Sequence, residues 1–239
     1  MSTAPQDSVS SIDRSSEIGA ELRKVFPAVC CTAVKYYGSP LSPSSEKHQS
    51  HPLHATEGRR AEFAAGRRAA LDCLEQLGCD AESIPTGPDR APIWPAGTIG
   101  SISHTHGIAV AVAAWTSEVL ALGIDIEKHE ALSPELWSTV LTATETRFLE
   151  AIPAAERIVS ATALFSAKET YFKLQYPLTK QWIEFRDVEV SLKLDCWRLR
   201  PVSAALNQPP PLRQFQGRWS TTAGLVITSA YAMTPGPRR

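Results

Sequence analysis

The chain has 239 residues and carries 24 Lys and Arg against 25 Asp and Glu, so its net charge is −1. A nearly neutral balance gives no general attraction to nucleic acid or to anionic membrane, and we expect neither as a partner. A hydrophobic content of 43% with 21% charged residues is ordinary for a globular protein in water. The length suits one large domain or two small ones.

The cysteines and the N-terminal segment bear on where the protein works. The chain has five cysteines, an odd number, and no C-x-x-C motif. This pattern disfavours a disulfide framework and a zinc site, and it favours a reducing cytoplasm. The N-terminal segment lacks the apolar stretch of a signal peptide, and no later apolar run is long enough to span a membrane. We expect a cytoplasmic monomer.

In the first half of the chain, the sequence pattern predicts one strand and one helix, separated by loops. Residues 1–17 are polar and predict a disordered N-terminus. A strand is predicted at 29–36, and the Ser- and Pro-rich segment 38–56 after it predicts a long flexible loop. Apolar side chains at helical spacing predict a helix over 59–77, followed by Gly78 in a position typical of a helix end.

After a loop rich in Pro and Gly at 84–97, two β-rich runs at 108–115 and 119–126 predict a hairpin with a short connection. The remaining predicted elements are helices over 133–150 and 155–176, the second stopped by Pro177, and strands at 188–194, 197–200 and 225–231. This order predicts an α+β fold of two halves of similar size. We divide it into an N-terminal subdomain, 18–117, and a C-terminal subdomain, 118–239.

The motif Gly-Ile-Asp-Ile-Glu at 123–127 ends the second run of the predicted hairpin. Because side chains alternate between the faces of a strand, Asp125 and Glu127 share one face and lie about 6–7 Å apart. Two carboxylates at this distance repel each other unless water or a cation lies between them. Taken alone, the motif favours a strand end that simply faces water.

A second carboxylate position interrupts the apolar face of the last predicted helix. Ile158, Phe165 and Phe172 recur every seven residues, and Glu169 lies in the same stripe. A buried carboxylate is costly unless a cation offsets its charge, and Lys173, one turn further on, can reach it. Taken alone, this pattern favours a Glu–Lys pair that closes the edge of the core.

Together, Asp125, Glu127 and Glu169 suit a hard cation that prefers oxygen ligands. Mg²⁺ takes few protein carboxylates and fills its shell with water and phosphate oxygens, which indicates a phosphate ester or anhydride as the ligand. The basic residues available on the helices are Arg59, Arg60, Arg67, Arg68, Lys168 and Lys173. Segment 100–105 is predicted as a small-residue turn whose N–H groups and His104 could hold a phosphate. Helix arginines and single histidines are more often solvated or structural.

Three blocks in this order carry a family resemblance: WPAGTIGSISHTHGIAVAVAAW, LGIDIEK and FSAKETYFKLQYPLTKQW. They resemble the 4′-phosphopantetheinyl transferases of the surfactin and enterobactin type. The upstream RRAEFAAGRRAALDCLEQLG and the tail RWSTTAGLVITS are most similar to actinobacterial members. The resemblance covers residues 57–231. It implies two similar α/β subdomains related by a pseudo-twofold axis, with the active site in the cleft between them.

The resemblance also implies site residues. Asp125, Glu127 and Glu169 match the magnesium carboxylates, with Mn²⁺ able to replace Mg²⁺, and Glu169 and Lys173 match the catalytic pair. The residues that match contacts to coenzyme A are Arg59, Arg67, Thr86, Gly87, Arg90, Ser103, His104, Asp125, Lys168, Glu169 and Lys173. Among them, Lys168, Ser103 and His104 match contacts to phosphate, Arg59 and Arg67 hold the 3′-phosphate region, and the loop at 86–90 contacts the adenine. Several relatives carry a lysine in that loop, where this chain has Thr86 and Asp89.

The implied activity is transfer of 4′-phosphopantetheine from coenzyme A to a serine of apo acyl or peptidyl carrier proteins, which releases 3′,5′-ADP. Such carriers serve fatty acid, polyketide, non-ribosomal peptide and siderophore synthesis. Glu169 is the expected base, directly or through a metal-bound water. Three alternatives are a coenzyme A binder without catalysis, a magnesium-dependent phosphohydrolase, and a structural domain without a ligand.

Overall fold

The computed structural model describes residues 11–37, 57–105, 107–202, 206 and 208–236. The α-helices are α1 (Ser11–Val25), α2 (Glu57–Gln76), α3 (Trp137–Val140), α4 (Ala143–Ala151) and α5 (Ala154–Thr179). The strands are β1 (Cys31–Tyr36), β2 (Thr98–Thr105), β3 (Ile108–Trp115), β4 (Val119–Lys128), β5 (Val188–Lys193), β6 (Cys196–Pro201), β7 (Gln216–Thr222) and β8 (Leu225–Met233). The loop predicted at 38–56 lies outside the described residues.

The strands form two antiparallel sheets, a three-stranded sheet in the order β1-β3-β2 and a five-stranded sheet in the order β4-β8-β7-β6-β5. Helix α2 packs on the smaller sheet, and α5 packs on β4 and β8 of the larger one. The α+β class is therefore confirmed. The subdomain boundary between 117 and 118 and the pseudo-twofold relation stay predictions.

The predicted hairpin of 108–126 is wrong, although both of its strands exist. Strand β3 is buried at every position except Trp115, and it pairs with β1 along one edge and with β2 along the other. A strand that is paired on both edges has no free N–H and C=O groups left to offer a third neighbour. The chain therefore leaves the smaller sheet after Trp115, and β4 pairs with β8 in the larger sheet.

Segment 100–105 is also not a turn, because it belongs to strand β2. Its register against β3 places Gly100 opposite Ala113 and Ser103 opposite Val110. A side chain at Gly100 would collide with the Trp94 ring and with the Val112 carbonyl oxygen. The glycine is thus needed for close packing within a strand rather than for a turn.

The helix predicted over 133–150 is broken into three parts. A 3₁₀ turn at Pro134–Leu136 and α3 come first, and α4 then begins after Thr142. Thr142 and Glu145 form a capping box, in which the Thr142 side chain accepts from the Glu145 N–H and Glu145 accepts from the Thr142 N–H. This Thr-x-x-Glu pattern signals a helix start, and it explains the break.

Two predicted boundaries of helices also differ from the structure. Residues 11–17 were expected to be disordered, but they form the first half of α1. Helix α5 contains Pro177 and continues to Thr179, and it ends at Lys180, which has a positive φ of 52°. No helix among the described residues is long and apolar enough to cross a membrane.

A shared core joins the two sheets beneath α1. Ile18 and Leu22 of α1 are fully buried in it. Residues from both sheets complete this core, among them Val110, Val112, Ile124, Ile126 and Ile227. The Ser229 hydroxyl on β8 donates to the carbonyl of Val25 at 2.9 Å, which ties the end of α1 to the larger sheet. This core holds β3 of the smaller sheet next to β4 and β8 of the larger one, and β2 also contacts β4.

Gly123 sets the distance between β4 and α5. A Cβ atom at this position would collide with the carbonyl oxygen of Thr170, so only glycine allows the helix to lie this close to the strand. The close approach brings Glu169 and Lys173 of α5 next to the carboxylates that follow Gly123 on β4.

Candidate functional site

Asp125 lies at the centre of the junction between β2, β4 and α5. Asp125 is only 3% exposed. Oδ1 accepts hydrogen bonds from Ser103 Oγ at 2.8 Å and from Lys173 Nζ at 2.7 Å, and Oδ2 accepts one from Ser166 Oγ at 2.7 Å. Charge-assisted hydrogen bonds of this kind stabilise the ionised carboxylate. The carboxylate is therefore fixed in orientation from both halves of the chain.

Lys173 is the cation of this junction. Besides Asp125, its ammonium group donates to Ser103 Oγ at 3.0 Å and to the carbonyl of Ile124 at 3.1 Å. The sequence analysis expected a pair with Glu169, four residues earlier. The structure instead forms the ion pair between Lys173 and Asp125, since the close packing of α5 on β4 brings them within contact distance.

Glu127 and Glu169 complete a cluster with more acids than bases. Burial, followed by the charge of Asp125, raises the pKa of Glu127 to about 7, although Lys173 and a hydrogen bond from Thr105 act the other way. Burial also raises the pKa of Glu169, Lys173 lowers it, and Asp125 raises it further. The charge of Asp125 thus raises the pKa of both glutamates, the charge of Glu169 also raises that of Glu127, and Lys173 offsets only one negative charge.

The cluster fits a divalent cation in its chemistry, although it is not a complete cage. Its donors are carboxylate oxygens, as a hard cation prefers, and a second positive charge would relieve their repulsion. Within the described ranges, no group of three or more His, Cys, Asp or Glu side chains is placed so that it could hold a metal ion by itself. A bound cation would thus need oxygens from water or from a ligand as well.

His104 follows Ser103 on β2 and is 45% exposed. Its Nδ1 lies 2.8 Å from Oε1 of Glu62 on α2, and the Tyr37 hydroxyl donates to the same oxygen at 3.2 Å. Burial lowers the pKa of His104, while the charge of Glu62 raises it. The sequence analysis did not single out Glu62. The feature of the sequence that could have pointed to Glu62 is its spacing, since it lies three residues after Arg59 on the same side of the helix.

Arg67 reaches the loop that precedes β2. Its guanidinium donates to Thr86 Oγ1 at 3.0 Å and lies over the Phe63 ring at 4.7 Å from the centroid. Burial lowers its pKa to about 10, and its Nε has no hydrogen-bond partner among the described residues. A largely buried cation in this state is suited to an anionic ligand. Arg59 lies in the first turn of the same helix and is exposed.

The loop of the predicted adenine contact is a closed turn. The Gly87 N–H donates to the Ala91 carbonyl at 2.8 Å, and Arg90 has a positive φ of 64°. Asp89 forms an ion pair at 2.9 Å with Lys180, the residue that ends α5. Thr86, Gly87 and Arg90 are thus joined to Arg67 on one side and to α5 on the other.

Lys168 is not brought together with the other predicted phosphate contacts. Its side chain is 1% exposed, and its ammonium donates to Glu145 at 2.7 Å and to the carbonyls of Val140 and Phe185 at 2.8 Å each. These three acceptors and the packing around the side chain enclose the ammonium within the C-terminal half, so a ligand does not reach it. The geometry therefore gives no support to a contact between this ammonium and phosphate.

An apolar groove lies beside Glu169. It is lined by Phe172, Trp182, Ile183, Phe185 and Val188 together with the side chains of Lys168, Glu169 and Glu184. The Trp182 ring packs edge-on against Phe172, yet 70% of this tryptophan is exposed. The carboxylate cluster thus borders on a surface that can hold an apolar chain.

Two family models match the chain in sequence. Residues 48–114 match the 4′-phosphopantetheinyl transferase N-terminal domain, and residues 121–201 match the 4′-phosphopantetheinyl transferase superfamily. The chain is 34% identical to the 4′-phosphopantetheinyl transferase PptT of Mycobacterium tuberculosis, over 89% of this chain and 98% of that protein. It is 32% identical to the 4′-phosphopantetheinyl transferase Svp of Streptomyces mobaraensis, over 88% of this chain and 89% of that protein.

A third relative matches over a shorter stretch. Enterobactin synthase component D of Escherichia coli K12 is 36% identical over 129 residues, which are 53% of this chain and 59% of that protein. These similarities show that this chain belongs to the 4′-phosphopantetheinyl transferase family. The resemblance inferred from the three sequence blocks is confirmed.

Proposed function

We propose that this protein transfers the 4′-phosphopantetheine group of coenzyme A to a serine of an apo acyl or peptidyl carrier protein. A bond forms between the serine oxygen and the β-phosphorus of the pyrophosphate. The bond from that phosphorus to the bridging oxygen breaks, and 3′,5′-ADP leaves with the electron pair. The observation that carries this proposal is the convergence of Asp125, Glu127, Glu169 and Lys173 at the junction of β2, β4 and α5.

Asp125, Glu127 and Glu169 are the residues that would hold Mg²⁺, or Mn²⁺ in its place. When bound, the metal offsets the charge of the pyrophosphate and of the leaving group. The support for this assignment is the donor chemistry: three neighbouring carboxyls, of which two have raised pKa values, with one ammonium to balance them.

Lys173 has a second task in this proposal, because its ammonium lies in the same junction and its side chain is 26% exposed. It stabilises negative charge on the transferring phosphate, where a preorganised cation in a partly buried site is most effective. Ser103 and His104 contact the phosphates from β2. Glu169 takes the serine proton, directly or through a water, from a position fixed by the helix.

The other end of coenzyme A is assigned to α2 and the loop before β2. Arg67 and Arg59 hold the 3′-phosphate, and the turn with Thr86, Gly87 and Arg90 contacts the adenine. The support is the buried guanidinium of Arg67, whose Nε lacks a partner among the described residues, and its direct bond to Thr86. The apolar groove at Phe172 and Trp182 suits the pantetheine chain. Lys168 is left out of this ligand set.

The test is incubation of the protein with coenzyme A, Mg²⁺ and a panel of apo carrier proteins, read by mass spectrometry. We expect one phosphopantetheine on the carrier serine and an equal amount of 3′,5′-ADP. A carrier whose serine is replaced by alanine is the control. Release of phosphopantetheine without any carrier would instead indicate a phosphohydrolase. Thermal stabilisation by coenzyme A without transfer would indicate a binding module.

A further inference from the structure

Glu62 joins three elements beside the junction. Its carboxylate projects from α2 and is 25% exposed. One oxygen, Oε1, is 2.8 Å from His104 Nδ1 on β2 and 3.2 Å from the hydroxyl of Tyr37, which follows β1. The backbone N–H of Tyr37 donates to the carbonyl of Gly107 at 2.8 Å, so the tyrosine is held next to the connection between β2 and β3. The carboxylate oxygen thus lies within contact distance of both the His104 ring and the Tyr37 hydroxyl.

This arrangement decides which nitrogen of His104 a ligand can meet. Because Nδ1 is engaged by Glu62, only Nε2 is left for a group in the cleft. A neutral imidazole with its proton on Nδ1 offers a lone pair at Nε2, which repels a phosphate oxygen. Only the imidazolium donates at both nitrogens. A contact between His104 and a phosphate therefore requires both the correct orientation of the ring and its positive charge.

The surroundings of His104 act on that charge in opposite directions, and together they place its pKa below the ordinary value of a histidine. Burial lowers the pKa most, the carboxylate of Glu62 raises it, the Lys173 ammonium on α5 lowers it, and Asp125 on β4 raises it. Of the two carboxylates, Glu62 has the larger influence and forms the direct bond. Without Glu62, burial and Lys173 would keep the imidazole neutral to lower pH.

We propose that Glu62 is a positioning residue for the transfer reaction: it orients the His104 ring with Nε2 directed to the phosphates of coenzyme A and favours the protonated form of that ring, and Tyr37 fixes Glu62. The inference rests on the proposed function, in which coenzyme A is the donor. In this role, Glu62 affects the binding of coenzyme A through His104 and does not contact the reacting atoms.

The experiment compares Glu62→Gln and Tyr37→Phe with the wild type. Glu75→Gln, at an exposed position of the same helix, is the matched control. NMR of the ligand-free protein follows the His104 ring through a pH titration, with its signal assigned by its loss in His104→Asn. Calorimetry then measures the affinity for coenzyme A over the same pH range. Steady-state kinetics give KM for coenzyme A and kcat separately.

For Glu62→Gln we expect the His104 titration to move to lower pH. We also expect coenzyme A affinity near neutral pH to fall about tenfold, the usual scale for a hydrogen bond to a charged group. KM for coenzyme A should rise while kcat changes little. Tyr37→Phe should give the same changes to a smaller extent, and Glu75→Gln should give none.

Three outcomes distinguish a failure of this inference from a failure of the proposed function. If the wild type binds coenzyme A, and Glu62→Gln leaves both the affinity and its pH profile unchanged, the positioning role is wrong and the proposed function stands. A lower melting temperature with unchanged binding would assign Glu62 to stability alone and also overturn the inference. If the wild type binds no coenzyme A, the proposed function fails, and the inference fails with it.

Discussion

Helix α5 carries two lysine–carboxylate clusters, five residues apart, which differ in how completely their charges are balanced. At Lys168, one ammonium meets one carboxylate, and both side chains are at most 1% exposed. The Glu145 carboxylate also accepts the backbone N–H groups of Thr142 and Val190, each at 2.7 Å. Donors and acceptors are satisfied on both sides. This cluster joins α4, α5 and β5, and nothing in it calls for a ligand.

At Lys173, one ammonium pairs with Asp125 beside two further carboxyl groups, and the lysine side chain is 26% exposed. Burial, and after it the charge of Asp125, keeps the pKa values of Glu127 and Glu169 raised. The same residue types on the same helix thus give a closed structural pair in one place and an unbalanced, accessible site in the other. The comparison teaches that the balance of charge and the access of solvent, more than the residue types, distinguish a binding site from a core.

The largest expected effect is loss of transfer in Glu169→Ala. Removing a group that holds the metal and takes the proton should lower the rate about 10³-fold, while the protein stays folded and still binds coenzyme A. Carrier modification by mass spectrometry and coenzyme A binding by calorimetry measure the two parts. Glu156→Gln, at an exposed position of the same helix, is the control. Full transfer by Glu169→Ala would remove Glu169 from the site.

The second largest effect is expected on stability, at the cluster of Lys168 and Glu145. Lys168→Met leaves the buried Glu145 carboxylate without its cation, which should cost about 3–5 kcal/mol of unfolding free energy. Denaturant unfolding gives the value, and Lys193→Met, at an exposed position of β5, should change little. Activity per folded molecule should persist. If Lys168→Met keeps its stability but loses coenzyme A affinity, the family assignment of this lysine to phosphate is right and the comparison of the clusters fails.

A smaller effect is a pH dependence that comes from Glu127. Its pKa is raised from 4.5 to about 7 in the fold, so the folded state keeps a proton that the unfolded chain loses. Its contribution to stability is therefore full below pH 4.5 and is lost as the pH rises to about 7. The melting temperature of the metal-free protein should fall over this range, and Glu127→Gln should flatten that fall. If the melting temperatures of the wild type and of Glu127→Gln fall equally with pH, the fold does not raise the pKa of Glu127.

The smallest effect is expected at the exposed ion pair between Asp89 and Lys180. Asp89→Asn should leave the midpoint of denaturant unfolding nearly unchanged, since solvent screens such pairs. The same substitution should leave coenzyme A affinity within about twofold, measured by calorimetry. A large loss of affinity would mean that the pair holds the turn of Thr86 and Arg90 in its binding conformation, and that charge balance alone does not mark the site.

Much of the site could be predicted because its parts are local. The alternation of Gly-Ile-Asp-Ile-Glu placed Asp125 and Glu127 on one face, and helical spacing placed Glu169 in an apolar stripe. The elements that failed depend on distant partners. The hairpin of 108–126 was wrong because β1, far away in sequence, takes the edge of β3. Strand β2 was missed because its small residues suit a turn equally well until Trp94 and β3 pack against them.

The sequence by itself determined the family, the main elements and the three carboxylates, because these follow from motifs and from periodicity along the chain. Only the tertiary structure decided which charges meet. Helical spacing offered Lys173 to Glu169, but the glycine at 123 lets α5 approach β4 so closely that Asp125 becomes its partner. Lys168, in the same motif, is buried against Glu145 instead. A charged side chain pairs with the group that packing brings within about 3 Å, and that distance depends on elements far apart in sequence.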